Sequence, residues 1–421
     1  MPEATRWRTS PNLALNQLVA ERRAAGDDVV HLAFGESRLP AFGPLTERLA
    51  RGADRNAYGP VAGGEPVRRA AAGYFSRRNM PTGPDQIVVG PGSKPLLMAL
   101  QHVLPGDVLI PRPAWNSYVP QARLAGKTAY EVPIPSECGG IPDPAALRDV
   151  VRQARAAGGD PRIVVLTLPD NPTGTLAPPA LVREICAAAE ELDLVIISDE
   201  IYRDIVHDPA TPFLSPAEVA PERTIVTNGL SKTLALGGWR IGVCRFPDNA
   251  WGLSVRDGVT SVASEVWSTL AGPMQEVAAY AFAEPQEIRQ RLSASARLHG
   301  AVARAVYEIM VDAGATCRPP TGGFYVYPDF EPLRTHLAWR GVTDSAGLQR
   351  HLLDTYGVLV LGGHHLGDDA GALRFKAATS MLYGETAEEQ ERSLAAADPL
   401  ALPHVERVLS RLKETFTKLS H

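Results

Sequence analysis

The sequence predicts a doubly wound α/β fold, with a mostly parallel sheet in a large domain and a smaller α+β domain beside it. Three observations carry that expectation. Short apolar runs alternate with helical periodicities as far as about Pro285, and alternation of this kind builds a parallel sheet with helices on both faces. The runs at 108–110, 162–168 and 194–198 are close to continuously apolar instead of alternating. Strands read this way when helices cover both faces of their sheet. Beyond Pro285 the pattern changes to one long helical stretch followed by short strands.

Taken in order, residues 11–25 place Leu13, Leu15, Leu18 and Val19 at near-helical spacing, with Gly26 as a stop. Residues 29–34 form a short apolar run that ends at Gly35, a strand feeding a loop. Residues 64–79 are helical, with Val67, Ala71 and Phe75 on one stripe. A strand at 86–89 runs into Gly90-Pro91-Gly92-Ser93, and 94–103 continues as a helix. Residues 181–192 are the helix between two buried strands, and 224–226 and 241–246 add further strands. The second region has a helix at 286–313, the segment Gly322-Gly323-Phe324-Tyr325-Val326-Tyr327, a helix at 345–356, and strands at 358–361 and 373–377. The expected division is a large domain at 46–285 and a small domain made of 1–45 and 286–421.

Composition narrows the function classes. The chain has 421 residues, is 45% hydrophobic and 21% charged, and carries a net charge of −5, an ordinary globular profile. A net negative charge argues against nucleic acid or an anionic membrane as the main partner. Cys138, Cys186, Cys244 and Cys317 are scattered without a C-x-x-C pair. They read as reduced thiols of a cytoplasmic protein. The start, Met1-Pro2-Glu3-Ala4-Thr5-Arg6, lacks the apolar run of a signal peptide. No apolar stretch approaches the ~18 residues of a membrane span. His364 and His365 are adjacent, not at the i, i+4 spacing of helical ligands, so no metal site is expected.

Candidate chemistry sits at strand ends, where open α/β sheets place their ligands. Asn228-Gly229-Leu230-Ser231-Lys232-Thr233 presents a lysine on a small-residue loop, with Arg240 following in Gly237-Gly238-Trp239-Arg240-Ile241-Gly242. The amine can form a Schiff base with an aldehyde, and the guanidinium can grip a phosphate with two hydrogen bonds. A surface loop lysine is the plain alternative. Gly90-Pro91-Gly92-Ser93-Lys94 joins a strand to a helix, where backbone N–H groups can cradle a phosphate; by itself it is also a tight turn. Leu168-Pro169-Asp170-Asn171-Pro172-Thr173-Gly174 is rich in turn formers, and Asn171 would offer an amide to a phenolic or carboxylate oxygen. Asp199 comes directly off an apolar strand in Ile196-Ile197-Ser198-Asp199-Glu200-Ile201-Tyr202. A carboxylate there needs a cationic partner, such as a pyridinium nitrogen, unless it only caps the next helix. Trp115 could stack on a flat ring or sit in the core. Arg374, in Leu373-Arg374-Phe375-Lys376-Ala377, could clamp a carboxylate or face solvent.

Together, Gly92-Ser93-Lys94, Trp115, Asn171-Pro172-Thr173-Gly174, Ser198-Asp199-Glu200-Ile201-Tyr202, Ser231-Lys232 and Arg240 resemble, in order and approximate spacing, the class I/II aminotransferases. These are pyridoxal-phosphate enzymes of fold type I. The resemblance runs from about Gly35 to about Arg374. It implies that Lys232 holds pyridoxal 5'-phosphate covalently and then shuttles the substrate proton. It implies that Asp199 pairs with the pyridine nitrogen, that Asn171 and Tyr202 bond the ring oxygen, and that Trp115 stacks on the ring. Ser93, Lys94, Ser231 and Arg240 would hold the phosphate. Gly35, Asn171 and Arg374 would take the substrate α-carboxylate. Tyr58 would reach the phosphate of a neighbouring subunit, giving a homodimer with shared active sites. The reaction implied is amino transfer between an L-amino acid and a 2-oxo acid. Lys94 matches a lysine that some aspartate-type members carry near a distal carboxylate, which favours aspartate or glutamate.

Three segments depart from the family pattern. Ser37-Arg38 replaces Pro-Asp, Ser264-Glu265-Val266-Trp267-Ser268 replaces a Ser-Asn-Pro-like stretch, and Gly362-Gly363-His364-His365 replaces a Pro-Gly-x-x-Phe-Gly-like loop. A C–S lyase, a decarboxylase or a cyclising enzyme would use the same Lys232 and Asp199. An aminotransferase-like regulatory domain would need a DNA-binding unit ahead of the fold, and no basic helix-turn-helix stretch precedes Gly35.

Overall fold

The structure is a computed structural model and describes residues 10–421. Its strands, in chain order, are β1 (Val30–His31), β2 (Ile87–Gly90), β3 (Asp107–Arg112), β4 (Ala129–Pro133), β5 (Pro161–Thr167), β6 (Val195–Asp199), β7 (Thr224–Gly229), β8 (Gly242–Arg245), β9 (Tyr325–Val326), β10 (Val358–Leu359), β11 (Leu361–Gly362) and β12 (Phe375–Ala378).

Seven of these form one sheet in the order β2-β8-β7-β6-β5-β3-β4. Neighbours pair in parallel except at β8, which is antiparallel to both β2 and β7. The nearly continuous apolar runs did become buried strands: β6 and β7 have every residue but Val195 buried. Alternate residues serve opposite faces, as the strand period of two requires. Val164, Leu166 and Ile196 pack under Leu147, Val151, Val182 and Ile185. Ile163, Val165, Ile197 and Ile225 pack under Leu96, Leu100, Val255 and Val259. Strand β4 was not foreseen. It is a sheet edge with only Val132 buried, so it lacks the apolar run that identified the others.

The order of strands reverses beside β3. The chain steps outward to β4 and then returns to the other side of β3 as β5. A crevice opens at the carboxyl ends of strands at such a point. Because β8 runs antiparallel, its start lies at the same end as the close of β7 and β2, with Gly242 opposite both Gly229 and Gly90. The segment before β8 therefore joins the loops after β2, β3, β5, β6 and β7 along one edge.

A three-stranded antiparallel sheet, β11-β12-β9, and the parallel pair β1-β10 lie elsewhere. The run at 358–361, expected as a single strand, is two strands that pair with different partners, β10 with β1 and β11 with β12. Helices Gln286–Asp312 and Pro403–Ser420 close the core over these strands. Phe330, Phe375 and Phe416 stack there at centroid distances of 5.6 to 6.2 Å. Val30, Leu32 and Leu39 belong to the same cluster, so the early chain returns to pack against the late one.

Candidate active site

Loops at the carboxyl edge enclose a cavity of about 410 Å³. Strand β2 delivers Gly92 into the helix Ser93–Val103. Gly92 has φ of 95°, and a Cβ there would lie 2.4 Å from Arg240 Nη2. A Cβ on Gly242 would lie 2.3 Å from the Gly92 carbonyl carbon. The absence of both side chains lets the helix N-terminus, Ser231 and the Arg240 guanidinium converge. Arg240 is held by a hydrogen bond from Nη1 to the Gly237 carbonyl oxygen at 2.7 Å. The result is a cup of N–H groups and positive charge suited to a phosphate.

Strand β7 ends at Gly229, and Lys232 lies in the single turn Leu230–Thr233 that follows. The approach is locked by side chains. Asn228 Nδ2 donates to Tyr74 Oη at 2.9 Å, and Tyr74 Oη donates to Asp204 Oδ2 at 2.8 Å. Lys232 Nζ donates to the Gly35 carbonyl oxygen. Burial lowers the Lys232 amine to about 8; Lys94 and Arg240 act in the same direction, while Glu36 and Asp199 oppose it. An amine in that range is neutral often enough to act as nucleophile or base near neutral pH.

Asp199 closes β6 and is 2% exposed. Tyr118 Oη donates to its Oδ2 at 2.8 Å and Thr227 Oγ1 to its Oδ1 at 3.2 Å. Burial pushes the carboxyl up to about 6, and those hydrogen bonds hold it back from rising further. Glu200, fully buried, turns away from the cavity and is engaged by Arg203, Ser198 and Ser215. Only Asp199 of this acidic pair lines the cavity.

Tyr202 Oη lies 2.6 Å from Tyr325 Oη, and Asn171 Nδ2 donates to it at 3.4 Å. Asn171 lines the cavity, and its Oδ1 is buried with no hydrogen-bond partner, an acceptor left unsatisfied. Trp115 meets Tyr118 edge-on at 5.2 Å, and Lys94 Nζ lies 5.0 Å from the Trp115 ring centre. The Lys94 amine is lowered by burial and by Arg240.

Of the residues singled out from sequence, Gly35, Ser93, Lys94, Trp115, Asn171, Asp199, Tyr202, Ser231, Lys232 and Arg240 all line this cavity. Arg374 is not among the lining residues. Its Nε donates to Asp329 Oδ2 at 2.8 Å, and Nη1 donates to Asp368 Oδ1 at 3.3 Å. The two carboxylates draw the guanidinium into a separate cleft of about 460 Å³ beside Arg112 and Arg318. Lys376, two residues further along the same strand face, lines the cavity instead. Tyr58 is 88% exposed and lies outside the cavity of its own chain. Arg38 ion-pairs with Glu36 at 3.8 Å, and His364 Nδ1 lies 3.0 Å from Ser345 Oγ. Neither they, His365 nor Trp267 line the cavity.

Residues missed in the sequence include Tyr118, Glu36, Tyr325 and Lys376. Lys376 had a readable signal, since it shares strand parity with Arg374. Tyr118 had none, because its hydroxyl meets Asp199 only once β3 and β6 are assembled. Among the described residues there is no cluster of His, Cys, Asp or Glu able to hold a metal, and no helix long and apolar enough to cross a membrane.

The family model for aminotransferase class I and II matches residues 27–383. The chain belongs to that family. This aminotransferase is 32% identical over 339 residues to the aspartate/prephenate aminotransferase of Thermus thermophilus, covering 77% of this chain and 82% of the relative. It is 31% identical over 418 residues to the aspartate aminotransferase of Pinus pinaster, covering 95% of this chain and 82% of that one. Among solved structures it is similar to aspartate aminotransferase from Thermus thermophilus with maleate, at a TM-score of 0.79 and 27% identity over 97% of each chain. The aminotransferase therefore has the fold type I architecture, with its large mostly parallel seven-stranded sheet.

Proposed function

We propose that this aminotransferase uses pyridoxal 5'-phosphate to move an amino group between aspartate or glutamate and a 2-oxo acid. One observation carries the reading. The Lys232 amine shares a single cavity with the buried Asp199 carboxylate and with the anion cup of Ser93, Ser231 and Arg240. The donor set fits the cofactor. The cup matches a phosphate dianion, Asp199 matches a cationic ring nitrogen, Asn171 and Tyr202 supply polar atoms for a ring oxygen, and Trp115 supplies a stacking face. When bound, the cofactor supplies an electron sink for charge developing at the substrate Cα. The residues do the rest. Lys232 would take the proton from substrate Cα and carry it to a second acceptor instead of back to the same carbon, Asp199 would keep the ring nitrogen positive, and Gly35, with its carbonyl oxygen on Lys232 Nζ, keeps the amine oriented.

The dicarboxylate preference rests on Lys94, on its position beside Trp115 and on the aspartate aminotransferases among the relatives. Lys94→Ala is expected to raise the aspartate KM by about tenfold or more, through loss of one charge-assisted contact, while KM for alanine changes little. Steady-state kinetics on both donors checks this, and equal shifts would reject a side-chain role. The reaction itself is tested with aspartate and 2-oxoglutarate. Oxaloacetate and glutamate should form in equal amounts; release of ammonia in place of glutamate would reject amino transfer.

We also propose a cytoplasmic homodimer. Four unpaired cysteines fit a reducing compartment, and Tyr58, 88% exposed with no role in its own cavity, is available to a partner's phosphate cup. Sedimentation should give twice the chain mass, and Tyr58→Phe should weaken cofactor retention without dissociating the dimer. A monomer that retains cofactor normally would reject the shared site.

A further inference from the structure

We propose that Tyr74 is a positioning residue for Lys232, acting through the side-chain amide of Asn228. The inference rests on the proposed covalent role of Lys232 and names what sets its amine in place.

Side chains from distant segments meet behind the end of β7. Tyr74 comes from the helix Glu65–Ser76, Arg78 lies just beyond it, Asp204 lies in the turn after β6, and Glu284 ends the helix Gly272–Ala283. Arg78 holds the group together. Its Nη2 donates to Asp204 Oδ1 at 2.7 Å and its Nη1 to Glu284 Oε2 at 2.9 Å. Its guanidinium carbon lies 3.6 Å from the centre of the Tyr74 ring. A carboxylate gripped by a guanidinium only accepts hydrogen bonds, and Asp204 Oδ2 accepts from Tyr74 Oη at 2.8 Å. Burial, with Asp204 adding to it, raises the Tyr74 phenol well above its ordinary range. The hydroxyl is therefore neutral and has a single proton to give.

That proton is spent on Asp204. Toward Asn228 the Tyr74 oxygen can only accept, and Asn228 Nδ2 donates to it at 2.9 Å. This orients the amide. Asn228 Oδ1 is left for the Gly229 N–H, which donates to it at 2.6 Å. A flipped amide would set its nitrogen against the Gly229 N–H and its carbonyl oxygen against an oxygen with no proton left. Both bonds would be lost where Asn228 and Tyr74 are buried from water, which is costly. The donors thus all point one way, from Gly229 through Asn228 and Tyr74 to Asp204.

Gly229 is where the Lys232 turn begins. It has little slack on its other side, since a Cβ there would lie 2.7 Å from the Ile241 carbonyl oxygen. Leu230 N donates to that same oxygen at 3.1 Å. The start of the turn is held between the amide of Asn228 and the carbonyl of Ile241, and Lys232 follows from it. Asp204 belongs to the turn that carries Tyr202, so the same bonds tie together the strand ends that bring Lys232 and Tyr202 to the cavity. A buried network whose members are satisfied rigidifies its surroundings. The plain alternative is a core tyrosine whose hydroxyl is merely satisfied; its loss would cost stability and leave Lys232 as it was.

The test uses the full chain and reads Lys232 directly. Cofactor-free protein is mixed with pyridoxal 5'-phosphate, the product is fixed with borohydride at timed intervals, and the labelled peptide around residue 232 is quantified by mass spectrometry. Tyr74→Phe removes only the hydroxyl and keeps the ring, which packs edge-on against Phe75 and Phe282 at 5.3 and 5.4 Å. It should slow capture by about tenfold or more, as a misplaced reacting group does. It should lower kcat by a similar factor and leave the aspartate KM within about twofold. Asn228→Ala should behave alike, and the double variant should be no slower than the slower single one, because both remove one device. Arg77→Gln gives up an ion pair to Glu284 without touching Tyr74 and should stay within about threefold of the wild type. Additive losses in the double variant overturn the assignment. So does a Tyr74→Phe variant that melts at a lower temperature but captures cofactor at the wild-type rate, or a loss in Arg77→Gln as large as that in Tyr74→Phe. If Tyr74→Phe does not fold, Asp204→Asn decides in its place. It keeps Tyr74 and Asn228 but removes the charge that fixes their direction, and should slow capture by about threefold or more; unchanged capture overturns the assignment. If capture depends on Tyr74 but no amino group passes from aspartate to 2-oxoglutarate, the proposed reaction fails and this assignment stands. If amino transfer proceeds while capture ignores Tyr74, only this assignment fails.

Discussion

Lys232→Ala should lower amino transfer by at least about 10⁴-fold, because a positioned base alone contributes up to about that factor and Lys232 is also the proposed covalent anchor. Its amine sits where both roles are feasible. Strand β7 and the Asn228–Tyr74–Asp204 chain fix the backbone leading to it, and the Gly35 carbonyl oxygen orients Nζ. Burial brings the amine to about 8, so a substantial neutral fraction exists near neutral pH. Cofactor should still enter the Lys232→Ala variant through the phosphate cup, but borohydride should no longer fix it to the chain. Mass spectrometry of the peptide around residue 232 reads that directly. Wild-type turnover in this variant would end the assignment, whatever the substrate.

Asp199→Asn is expected to reduce kcat by about 10²–10³-fold, the usual cost of removing one preorganised electrostatic group. The substitution keeps the shape and can retain the contacts to Tyr118 and Thr227. What it removes is the negative charge. With the carboxyl raised to about 6 by burial, the ionised form prevails at neutral pH and is lost as pH falls through that value. Cofactor retention should therefore fall more steeply below about pH 6 in the wild type than in Asp199→Asn, which lacks that ionisation and retains only the pH dependence of Lys232. Equilibrium dialysis at pH 5 to 8, with kcat measured in parallel, checks both statements. A variant with unchanged kcat would mean that the carboxylate serves only as a cap.

Much of this is legible in the sequence. The runs at 162–168 and 194–198 are buried strands because a sheet covered on both faces has no polar side to alternate. The small-residue turns after β2 and β7 announced the cup, since only glycine allows the backbone at Gly92 to approach Arg240 so closely. Strand β4 escaped because an edge strand carries little apolar signal. The split of 358–361 into β10 and β11 escaped because its cause is a change of pairing partner. The surroundings of Arg374 were not legible. Its strand and its face were readable, yet its direction is set by Asp329 and Asp368, 45 and 6 residues away in sequence.

The sequence by itself determined the family, the alternating architecture and the polar residues at the strand ends, because local periodicity and turn chemistry encode those. Tertiary structure decided which of those residues meet. It brought Tyr118 onto Asp199, took Arg374 out of the cavity and put Lys376 in. The physical reason is that a charged side chain goes where its counter-charge and its burial balance, and that balance exists only after distant strands have been assembled.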